Sequence, residues 1–123
     1  MRTARVEPVR EFEAGLSRVR LRHVADAWLM PDELVTFRTE SGTELDLTRK
    51  AWGYYASPSL NGRLREHGLR AVLAAGGGRM YLLVVEAGRE PEFRSYLDSE
   101  EMEVIAWLDS DEAVAQATAR LRA

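Results

Sequence analysis

The sequence contains no cysteine. Disulfides, thiolate nucleophiles and cysteine metal sites are excluded together, and the composition suits a reducing compartment. Lysine is almost absent too. Lys50 stands alone, so amine chemistry would rest on that residue or on the N-terminal amine. The two histidines, His23 and His67, are too few for a metal centre without carboxylate help, and no His-Glu-x-x-His spacing occurs. No metal and no cofactor is expected. No apolar run approaches the roughly 18 residues of a membrane span, and the opening Met1–Pro8 lacks the apolar stretch of an export signal. The expectation is a cytoplasmic protein with no membrane partner.

What is present describes a folded α+β protein. Of 123 residues, 46% are hydrophobic and 30% charged, enough apolar content to build a core. Residues 1–70 carry twelve basic and ten acidic side chains, whereas residues 71–123 carry five and ten. An acidic second half lacks the clustered Lys and Arg of a phosphate-binding face, which argues against nucleic acid as a partner. One domain is expected across 1–123, with residues 1–15 as a loosely ordered arm. There Val9, Phe12 and Leu16 have helical spacing, but Pro8 and Gly15 limit any helix to a turn or two.

From Arg18 the period changes to two. Val19, Leu21 and His23 alternate with Arg18, Arg20 and Arg22, and the pattern predicts a strand ending at a turn over Met30–Glu33. Val35 and Phe37 mark a second strand, Leu45 and Leu47 a third with Glu44 and Asp46 outward. Together they predict an antiparallel meander on which the arginine stripe faces acids. Ser57-Pro58 reads as an N-cap followed by Pro at the first helical position, and Gly68 as the helix stop. Leu69–Ala75 and Arg79–Glu86 are two strands around three glycines. The second, Met80–Val85, is apolar on both faces and is expected at the centre of the sheet. Phe93, Tyr96 and Leu97 form the buried stripe of a helix from Glu90. A strand at Glu103–Leu108 and a helix capped by Asp109, with Val114, Ala117 and Leu121 inward, complete the chain. The order is β-β-β-α-β-β-α-β-α: a mixed, mostly antiparallel sheet with helices mainly on one face, and with the 90–99 helix as a crossover between parallel strands.

The densest cluster of chemistry-bearing residues is Trp52, Tyr54, Tyr55, Ser57, Ser59, Asn61 and Arg63. A helix start offers free N–H groups to an anion, Arg63 could add a bidentate contact, and the rings could stack on a sugar or base. These residues are the candidate ligand site, and a sugar phosphate or nucleotide is the candidate ligand. No catalytic residue is assigned. Gly76-Gly77-Gly78-Arg79 is followed by a strand and lacks the Lys-Ser/Thr of a phosphate loop, and no Gly-x-Ser-x-Gly occurs. The sequence therefore leads to a non-catalytic accessory or ligand-binding protein. The alternatives are a small enzyme acting on a phosphorylated or sugar-like substrate, and a homodimer or protein-interaction module.

Overall fold

The computed structural model describes residues 1–123. Its elements are β1 (Arg2–Ala14), β2 (Val19–Trp28), β3 (Leu34–Arg38), β4 (Glu44–Lys50), β5 (Gly53–Tyr55), α1 (Arg63–Glu66), β6 (Leu69–Gly76), β7 (Arg79–Glu86), α2 (Glu90–Ser99), β8 (Glu103–Trp107) and α3 (Asp111–Arg122). This is the expected α+β order with two strands added, β1 and β5. Every ladder is antiparallel, and the strands form three sheets: β1-β2, β3-β4-β5 and β7-β6-β8. No helix is long and apolar enough to cross a membrane.

The expected arm over 1–15 is instead the longest strand. Phe12 and Ala14 pair with Leu21 and Val19 on one face, while Glu11 and Glu13 pair with Arg22 and Arg20 on the other. That alternation has period two, and it overrides the helical spacing of Val9, Phe12 and Leu16. Pro8, which has no N–H to give, sits where the register shifts between Arg5 and Arg10. The arginine stripe therefore meets β1: Glu11 accepts from Arg20 at 3.1 Å, and Arg22 lies 3.9 Å away. β2 does not join the meander, which is β3-β4-β5.

Apolar side chains are buried on both faces of the β7-β6-β8 sheet, with Val72, Ala74, Val85 and Leu97 on one and the main cluster on the other. Leu64, Leu69, Ala71 and Leu108 are buried together, with Leu45, Leu60, Leu73, Ala106 and Ala117 packed against them. α1 and α3 thus share that face. On the other, Phe93 of α2 meets Trp107 edge-on with ring centroids 5.8 Å apart. β7 and β8 both run antiparallel to β6, hence parallel to each other, and α2 carries the chain past the central strand.

The central strand is β6, not the apolar run 80–85. Leu83 is half-buried and Val85 buried, but Leu82 and Val84 are exposed, so only one face of β7 is covered. A strand that is apolar on both faces need not be packed on both. The sheet instead centres on the strand of small residues, Ala71, Val72 and Ala74, which lets neighbours approach from both sides. Gly77 and Gly78 both have positive φ, the conformation of a tight hairpin turn.

Other expectations also shift. Tyr96 is exposed rather than buried, as is Leu121. Ser110, not Asp109, caps α3, accepting from the Ala113 N–H at 3.1 Å. Asp109 is drawn instead to Arg70 on β6, whose Nε donates to it at 2.5 Å, and this bond lowers the Asp109 pKa.

Candidate functional site

The 52–63 cluster is only partly assembled by the fold. The segment after Ser57-Pro58 does not form a helix; α1 starts at Arg63 with Gly62 at its N-cap and lasts four residues. The hydroxyl of Ser57 donates to the Pro58 carbonyl at 3.1 Å, and the Arg63 N–H donates to the Ser59 hydroxyl at 3.0 Å. One turn of helix aligns too few peptide dipoles to attract an anion. Gly68 does end the helix, with φ of +86°.

Tyr55, Ser59 and Arg63 meet in a shallow cleft of about 270 Å³ with Leu34, Asp46, Thr48 and Pro58. Trp52, Tyr54, Ser57 and Asn61 lie outside it. Trp52 projects from the turn between β4 and β5 and is 72% exposed. Tyr54 lies beside the Arg49 guanidinium, 5.8 Å from its ring centre, and Asn61 donates to Asp111 at 2.9 Å.

Asp46 dominates the cleft. It was expected to face solvent, yet it is the one buried charged residue of the chain. The Thr36 hydroxyl donates to it at 2.6 Å and Arg63 Nε at 3.0 Å. Those bonds, the Thr36 contact first and then Arg63, hold its pKa below the usual carboxylate range against the opposing effect of burial. The guanidinium proposed to meet a ligand thus already neutralises a buried carboxylate, and the cleft holds no second cation.

A second cleft, of about 410 Å³, lies outside the 52–63 cluster. Ser41, Gly42, Thr43, Glu66, His67, Gly68, Glu86, Ala87 and Arg89 line it. The hydroxyls of Thr39, Ser41 and Thr43 all donate to one oxygen of Glu86, at 2.5, 2.6 and 2.9 Å. Ser41, Thr39 and Thr43, in that order of effect, bring the Glu86 pKa down to about 2. The Thr-x-Ser-x-Thr spacing across the β3–β4 turn carries this signal in the sequence. Its consequence is mechanical: three bonds tie the turn of one sheet to the end of β7 in another.

Beside it, His67 Nδ1 lies 3.1 Å from Glu44, which also pairs with Arg38. A carboxylate-oriented imidazole is the arrangement of a general base. Here, however, the neighbouring hydroxyls give their protons to Glu86, and no hydrogen bond joins them to His67. His23 is elsewhere, 2.8 Å from Asp26 on the β1-β2 hairpin, with Arg10 Nε donating to its Nδ1 at 3.4 Å.

The most extensive feature is apolar. The β1-β2 hairpin contains no buried residue. Its tip is pinned by Glu100, which accepts from the N–H groups of Leu16 and Ser17 at 3.1 and 2.8 Å and from the Ser17 hydroxyl. Gly15, with φ of +77°, leaves the room this carboxylate occupies; a Cβ there would collide with it. Its apolar face, Ala14, Val19 and Leu21, shares only a small hollow of about 120 Å³ with Tyr96. Met80 and Leu82 on β7 are also open to solvent, 65% and 52% exposed. Comparison with family models, with curated proteins and with solved structures gives no match.

Proposed function

We propose that this chain is a non-catalytic association module, a subunit that completes its packing against another protein surface. The observation that carries the reading is its accessible surface, 9051 Å². A compact monomer of 13.9 kDa exposes about 6,700 Å², so roughly 2,400 Å² is in excess. Part of the excess is apolar: Phe12, Val19 and Leu21 lie together on one hairpin face, and Met80, Leu82 and Val84 on one strand. Single exposed leucines are ordinary, but contiguous apolar rows mark interaction surfaces.

Energetics support the same reading. Only nine residues are buried. The folded chain removes from water about 55% of the surface that an unfolded chain of this mass exposes, against about 67% for a compact monomer. A subunit that gains the remainder from its partner resolves the imbalance. Anion binding at 52–63 is favoured less, because Arg63 faces Asp46 and α1 is one turn long.

The test is thermal unfolding of the purified chain over a dilution series, with an apolar-surface dye alongside. The expected outcome is either a midpoint that rises with protein concentration or a monomer that binds dye strongly. A monomer with cooperative, concentration-independent unfolding and no dye binding would sink the proposal.

A further inference from the structure

The two edges of the β7-β6-β8 sheet are built differently. β8 is five residues long, begins with Glu103 and is irregular in register where Leu73 and Ala74 meet it. Shortness, an edge charge and a bulge are the usual means of stopping a strand from recruiting another. β7 lacks the shortness and the bulge, and its charges, Arg79 and Glu86, stand only at its two ends. It is eight residues long and pairs with β6 in unbroken register from Leu69↔Glu86 to Gly76↔Arg79. From Met80 to Val85 it carries no charge, proline or glycine. Its outer row of N–H and C=O groups has no strand beside it, since the hairpin forms a sheet of its own.

Side-chain placement points the same way. Met80, Leu82 and Val84 lie opposite Ala75, Leu73 and Ala71, hence on the face of the main cluster. That face is covered over β6 but open over β7: Met80, Leu82 and Val84 are 65%, 52% and 37% exposed. The core thus stops at the edge strand, with its next row already in place.

We infer that β7 pairs with β7 of a second copy of this chain, antiparallel across a two-fold axis at Leu82, joining two three-stranded sheets into one of six. The inference rests on the association reading and names its partner. An axis normal to the sheet keeps each face on its own side, so paired residues must share a face. Centred on Leu82, this sets Leu82 opposite Leu82 and Met80 opposite Val84. The exposed row of one copy then continues into that of the other, and Arg79 and Glu86 fall at the ends of the paired run. The area agrees as well. Part of the excess of roughly 2,400 Å² per chain lies at this edge, in the open row of Met80, Leu82 and Val84, which a second copy would cover.

The experiment measures association of the full-length chain by sedimentation velocity, for the wild type and for Leu82→Lys. Position 82 is exposed, so the lysine has room in the monomer, but in the dimer it would face its own charge across the axis. Leu82→Lys is expected to raise the dissociation constant about a hundredfold or more, whereas Leu121→Lys, on the exposed end of α3, leaves the dimer intact. Because the chain has no cysteine, Leu82→Cys gives a second readout that does not depend on the lysine variant folding. Mild oxidation should link it to its copy far faster than Leu121→Cys. A wild-type dimer that survives Leu82→Lys, or a Leu82→Cys chain that links no faster than the control, would overturn the β7 pairing and leave the association reading standing. A wild-type monomer that binds apolar dye would overturn the second copy as partner in favour of a different protein. A monomer that binds no dye would overturn both.

Discussion

β6 and the β1-β2 hairpin show two uses of extended chain. β6 is eight residues with strands on both sides; Leu69 and Ala71 are enclosed with Leu64 and Leu108, and Val72 and Ala74 are buried on the other face. The hairpin uses 23 residues in two longer strands, with ladder bonds along most of its length, yet buries none of them. Backbone pairing is therefore not what separates the stable part of this molecule from the rest. Both regions satisfy their hydrogen bonds; only β6 removes apolar surface from water, and an isolated two-stranded ribbon is marginal at best.

Core truncation sharpens that contrast most. Leu64 is 0% exposed, so Leu64→Ala should cost about 2–5 kcal/mol in denaturant unfolding. Phe12→Ala on the hairpin, measured on dilute protein, should stay within about 0.5 kcal/mol. Equal losses at the two sites would show that the hairpin is packed after all. Next in size is Arg63→Ala. It leaves the buried Asp46 with the Thr36 hydroxyl alone and should destabilise by about 1–2 kcal/mol. A neutral result would mean that Asp46 is paired by other groups.

Glu86 adds a pH dependence to the side of the molecule that holds β6. Its folded pKa is depressed to about 2 from an ordinary 4.5. Its contribution is therefore fully present above pH 4.5 and is lost as pH falls toward 2. Wild-type protein should lose thermal stability more steeply than Glu86→Gln through that window, the two curves converging at its acid end. Parallel curves would refute the role of the three hydroxyls. The smallest global effect belongs to Glu100→Ala. Glu100 holds only the hairpin tip, so hydrogen exchange at the Leu16 and Ser17 amides should speed up while the unfolding midpoint moves little. A large fall in that midpoint would make the tip part of the cooperative core.

Much of the local structure is legible before folding. The alternation in β2, β3, β4 and β8, the glycine turn at 77–78, the stop at Gly68 and the acid-rich start of α2 all follow from period and turn chemistry. β1 was legible too, since Phe12 and Ala14 alternate with Glu11 and Glu13, but the spacing of Val9, Phe12 and Leu16 and the presence of Pro8 obscured it. A proline excludes one ladder bond, not a strand. The site was harder. Ser57-Pro58 and Arg63 have the composition of an anion-binding helix start, but whether Arg63 is free depends on Asp46, seventeen residues earlier and on another strand.

By itself the sequence determined the α+β class, the positions of most strands and helices, and the exclusion of thiol chemistry, because these rest on composition and on periods of a few residues. Tertiary structure decided which strand is central, which carboxylates are buried and where the core stops. Met80–Val85 has the same apolar pattern whether a neighbour covers it on both sides or on one. Only the pairing order β7-β6-β8 makes it an edge, because burial depends on what lies across the sheet, and that information resides in residues distant along the chain.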